Sequence, residues 1–89
     1  MTKIYCYCLF DGQGNFHGVY SSVNAVHRDA LKICNKGRGS VLMELSGGRV
    51  VAPSTTILRN TFKGSFDVQV VYSGAHPHKA KIIKTKLKE

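Results

Sequence analysis

"FHGVYSSVNAVHRDALKICNKG", residues 16–37, is where the chain changes its period. Phe16 to Tyr20 reads as a strand, and Ser21 or Ser22 can cap a helix. Val23, Val26, His27, Ala30, Leu31 and Cys34 then recur at helical spacing and form one apolar stripe over about three turns. Asn24, Arg28, Asp29 and Lys32 lie off that stripe. Gly37 is a helix stop, and Lys36 and Arg38 complement the negative helix end. An amphipathic helix fed by a strand needs a sheet to cover its stripe, which sets the class as α+β.

Working outward, KIYCYCLF (3–10) alternates as a strand. Ile4, Cys6, Cys8 and Phe10 share one face, and Tyr5, Tyr7 and Leu9 share the other. The cluster Asp11-Gly12-Gln13-Gly14-Asn15 turns this strand back into Phe16–Tyr20, making a hairpin. Downstream, Ser40–Leu45 and Arg49–Ala52 read as strands joined at Ser46-Gly47-Gly48, with Val41, Met43 and Leu45 on one face. Pro53-Ser54 opens a short helix whose apolar side is Ile57, Leu58 and Phe62, and Gly64 ends it. Phe66–Tyr72 is a fifth strand, with Phe66, Val68, Val70 and Tyr72 on one face. The closing stretches ALKICNKG (30–37) and ILRNTFKG (57–64) resemble each other, but helix-stop chemistry alone favours Lys-Gly.

The expected fold is therefore a mostly antiparallel sheet of five or six strands in the order ββαββαβ(β). One long and one short helix lie on one face. Val23, Val26, Ala30 and Leu31 dock the long helix, and Phe10, Met43, Val68 and Val70 fill the core. Residues 1–73 form a single domain. Residues 74–89 are a basic edge strand, with Ile83, Thr85 and Leu87 inward, or a mobile tail. Pro77 forbids a ladder hydrogen bond at its own position.

Bulk composition narrows the function. The chain has 89 residues, of which 43% are hydrophobic, enough for one domain with a modest core. No apolar run approaches the ~20 residues of a membrane span. Met1-Thr2-Lys3 leads directly into strand residues, so no signal peptide is expected and the location is cytoplasmic. Cys6, Cys8 and Cys34 are an odd set, read as free thiols. Net charge is +8, and Lys79, Lys81, Lys84, Lys86 and Lys88 supply five of the 13 basic residues. The other eight basic and four acidic residues, setting Glu89 aside with those lysines, still leave +4. Such a chain favours polyanions: nucleic acid, acidic protein surfaces or anionic lipid.

Reactive machinery is not evident. The glycines of NKGRGSVLMELSGGRVV (35–51) follow one helix and precede a strand, so they are turns rather than a phosphate cradle. Cys6 and Cys8 share a strand face, but zinc sites space their ligands differently, and Pro77 separates His76 from His78. A Cys/His nucleophilic pair from Cys34 or Cys8 with His27 or His17 lacks an orienting acid. Asp11, Asp29, Glu44, Asp67 and Glu89 form no paired-carboxylate site. No catalytic residue, metal or cofactor is assigned, and the expected protein is not an enzyme.

IYCYCL (4–9) and KGSFDVQVVY (63–72) echo the two strand motifs of an RNA-recognition sheet. The first strand, however, enters a hairpin, and Ser65 and Asp67 depart from the second motif. If Cys6 and Cys8 face the helices, Tyr5 and Tyr7 stand on the other face. There they would stack on unpaired bases, anchor a protein partner or lie beneath a second layer. The leading reading is a nucleic-acid-binding accessory protein. DNA or RNA phosphates would be met by Lys79, Lys81, Lys84, Lys86 and Lys88, with Arg38 and Arg49 at loop tips, and Tyr5 and Tyr7 would stack. The alternative is an inhibitor or adaptor gripping a host protein with an acidic surface. Either would be a monomer or a dimer paired through sheet edges, with no membrane partner.

The strand–FDGQGNFHGVYSS–helix opening (10–22, then Val23 onward) resembles small uncharacterised proteins of tailed bacteriophages, T7-like phages included. The resemblance covers the first ~35 residues. It implies a small protein made in an infected bacterium that binds a host or phage component, and it supplies no site residues.

Overall fold

A computed structural model describes residues 5–34, 41–45, 48–63, 69–74 and 78–86. The strands are β1 (Tyr5–Asp11), β2 (Phe16–Tyr20), β3 (Leu42–Glu44), β4 (Val50–Val51), β5 (Gln69–Ser73) and β6 (Lys79–Lys86). The helices are α1 (Val23–Cys34) and α2 (Thr55–Phe62). One six-stranded sheet runs in the order β2-β1-β6-β5-β3-β4, and every neighbouring pair is antiparallel. It is three hairpins side by side, with β5–β6 in the middle. Both helices pack on one face, so the α+β class holds.

Local chemistry explains the elements. Ser22 caps α1, its Oγ accepting from Ala25 N at 3.2 Å, and Ser54 caps α2 through Ile57 N at 3.2 Å. The stripe buries Val23, Val26, Ala30 and Cys34, with Leu31 partly buried against them. Leu9, Met43, Leu58, Phe62, Val70, Tyr72, Ala80 and Ile82 complete the core. Arg59 Nη2 donates to Asn24 Oδ1 at 3.1 Å and ties the helices together. The Tyr72 hydroxyl and His27 Nδ1 share a hydrogen bond of 2.6 Å, so a polar group under α1 is satisfied where water cannot reach. Gly74 accommodates the end of α1, because a Cβ at that position would collide with the Cys34 carbonyl.

Several expectations are corrected. Residues 79–86 form neither an edge strand nor a tail, because β6 lies between β1 and β5. Its inward residues are Ala80, Ile82 and Lys84, whereas Ile83 and Thr85 pair on the opposite face. The parity of β1 is also reversed. Leu9 is fully buried under the helices, taking Tyr5 and Tyr7 to the helix side and turning Cys6, Cys8 and Phe10 away. Phe10 therefore leaves the core. Arg38, Val68, Leu87, Lys88 and the stops at Gly37 and Gly64 lie outside the described residues, as do His76 and Pro77.

Candidate nucleic-acid interface

The helices occupy one face of the sheet, and no described element covers the other. Strand register places a row of residues straight across that open face: Phe16, Phe10, Lys81, Val71, Glu44 and Val50, one from each strand. With strands ~4.8 Å apart, this row is about 24 Å wide. A second row runs Val19, Cys8, Ile83, Gln69, and Lys79 pairs with Ser73 beside Leu42. Among the described residues, the four exposed large hydrophobics, Phe16, Val19, Leu42 and Val50, stand on this face.

The aromatic end of the row is built by the first hairpin. Asp11 Oδ1 accepts from the backbone N–H groups of Gln13 and Asn15, both at 2.9 Å. Its Oδ2 accepts from Asn15 Nδ2 at 3.1 Å and pairs with His17 Nε2 at 3.2 Å. Gly14 takes φ 85°, which a side chain would resist, and its N–H closes the turn on the Asp11 carbonyl at 3.1 Å. The Asn15 backbone donor, helped by His17 and Gln13, holds the Asp11 carboxyl down at about 2. A register shift between Leu9 and Phe10 then sets Phe16 against Phe10, edge to face, with ring centroids 5.6 Å apart.

Cations flank these rings. Lys81 Nζ lies 5.6 Å from the centroid of Phe10, and the exposed Lys79 begins the same strand. Toward β3 the character changes, because exposed Glu44 follows Val71 in the row. The face is thus aromatic and cationic over β2, β1 and β6, and acidic and aliphatic over β3 and β4.

The residues singled out in the sequence divide accordingly. Lys79 and Lys81 belong to the open face. Lys84 does not, since it is 7% exposed and its Nζ donates to the Phe62 carbonyl at 2.5 Å. Its ammonium also lies 4.3 Å from the Tyr5 ring centroid. Tyr7 packs against Phe62, with centroids 5.4 Å apart, so both tyrosines sit on the helix side. Arg49 is exposed in the β3–β4 connection, apart from the aromatic pair. Lys86 closes β6 opposite Tyr5. Phe10 and Phe16 were not singled out as stacking residues. Their signal was the strand alternation itself, once the parity of β1 is known.

Among the described residues, no group of three or more His, Cys, Asp or Glu side chains is placed to hold a metal. Among them too, no helix is long and apolar enough to cross a membrane. Set against known proteins, the chain matches no family model, no curated protein and no solved structure.

Proposed function

We propose that the protein is a non-enzymatic accessory factor that binds nucleic acid on the open face of its sheet. One observation carries this reading: exposed Phe16 packs edge to face on half-buried Phe10, with the Lys81 ammonium 5.6 Å from the Phe10 centroid. Unpaired bases stack on such rings, while Lys79 and Lys81 meet the phosphates. Glu44 repels a phosphate backbone and directs the strand toward β2, β1 and β6. The formal charge of +8 speeds the encounter. The resemblance of the opening residues to small phage proteins is consistent with a partner inside an infected bacterium.

The test is binding of labelled single-stranded DNA and RNA across a salt series. Affinity should fall steeply with salt, and Lys81→Gln should reduce the log–log slope by about 0.7 if one phosphate contact is lost. Phe16→Ala should cost about 1–3 kcal/mol, the worth of one stacked base. A salt-independent affinity, or one indifferent to both substitutions, defeats the proposal.

The exposure of Phe16 and Val19 at one side of this face and of Leu42 and Val50 at the other favours a second reading, a protein partner with an acidic rim. A tagged pull-down from bacterial lysate separates the two. A partner lost on nuclease treatment is nucleic acid, and one that persists is protein.

A further inference from the structure

Cys6 and Cys8 are two residues apart on β1, and both point to the open face. Both side chains are partly exposed, and both cysteines are free thiols. The strand that carries them is paired on both sides, by β2 along Cys8 and by β6 along both cysteines. The backbone beneath the pair is therefore held. Residues i and i+2 of a strand are ~6.8 Å apart at Cα, the outer limit for a disulfide. A sheet-locked pair cannot shorten that span, so it is better suited to sharing an atom between the sulfurs than to joining them.

We propose that Cys6 and Cys8 are a two-thiolate site for a soft monovalent metal ion, copper(I). The donor set selects the ion. Zinc requires about four ligands, and no third His, Cys, Asp or Glu joins the pair among the described residues. Thiolates prefer copper(I), which accepts two sulfurs in a linear arrangement. On binding, each thiol releases its proton to solvent and two copper–sulfur bonds form. Copper keeps its oxidation state, and the complex carries one negative charge. Lys81, in the adjoining row of the same face, offsets that charge. Val19 and Ile83 flank Cys8, and Thr85 stands opposite Cys6. Cys34 is buried against the helix side of the sheet and serves as an internal control. The site does not depend on the nucleic-acid reading.

The experiment is an anaerobic titration of the reduced, full chain with copper(I) presented as its bathocuproine disulfonate complex. One copper should leave the chelator, with a thiolate-to-copper band in the ultraviolet and two sulfurs at the metal by X-ray absorption. Copper should shield two of the three cysteines from a thiol reagent in the unaltered protein, a readout that needs no variant to fold. Cys34→Ser should keep the uptake, and Cys6→Ser and Cys8→Ser should each lose it. The proposal fails if no copper is withdrawn, if Cys34 is the residue shielded, if the Cys6 and Cys8 variants retain uptake, or if three sulfurs surround the metal.

Discussion

The ammonium of Lys84 sits inside the protein, between the Tyr5 ring and the carbonyl that ends α2. That carbonyl has no partner within its helix and carries part of the negative end of the dipole, which is what makes a buried cation tolerable there. Lys84→Met keeps the apolar stem and removes the donor. It should lower stability by about 1.5–3 kcal/mol in urea melts while leaving nucleic-acid affinity unchanged. Nothing in the sequence marks this lysine, because a lysine in a basic segment reads as solvated. Two other residues set the acid response. Asp11 has its carboxyl depressed from 3.8 to about 2, so its contribution is complete above pH 4 and is lost as pH falls toward 2. His27 is depressed from 6.5 by burial, so its contribution is complete above that value and declines as pH falls through the lowered one. Stability measured against pH should show both declines. Asp11→Asn should remove the lower one and His27→Gln the upper one.

Among the elements, α1 was legible, whereas the facing of β1 and of β6 was not. The α1 stripe has one apolar side, so only one docking is sensible, and four of its positions are buried as the spacing implied. In β1 both alternate sets are apolar, and either can face a helix. Leu9 decides, because it meets Ile82 beneath α1, and a one-residue slip would have exchanged the faces. In β6 the tandem Ile82-Ile83 leaves the same ambiguity. Lysines at alternate positions suggested an edge, but a solvated sheet face accepts lysines as readily as an edge does. The true edges, β2 and β4, are short, at five and two residues. The position of β6 also changes what a truncation means. Deleting residues 79–89 removes the strand that joins β1 to β5, so calorimetry should show no cooperative unfolding transition rather than a folded protein that has lost its affinity.

At the scale of the molecule, the sequence carried the sign of the charge but not its placement. Arg28, Lys32, Arg49, Arg59 and Lys63 are exposed elsewhere, so the net value of +8 does not by itself mark a face. Lys79→Glu with Lys81→Glu, and Arg28→Glu with Lys63→Glu, reduce the total equally. Only the first pair should abolish binding if the open face is the interface. Equal losses in fluorescence anisotropy would mean that bulk charge alone governs the encounter.

The middle hairpin has a consequence for the order of synthesis. β6 is the last of the six strands to leave the ribosome, yet its partners on one side, β1, are the first to leave. Until it emerges, the nascent chain holds two half-sheets with no seam between them, and the apolar underside of α1 lacks Ile82 and Ala80. Closure therefore waits for translation to pass residue 86, and chaperones or early aggregation have their opening before that moment.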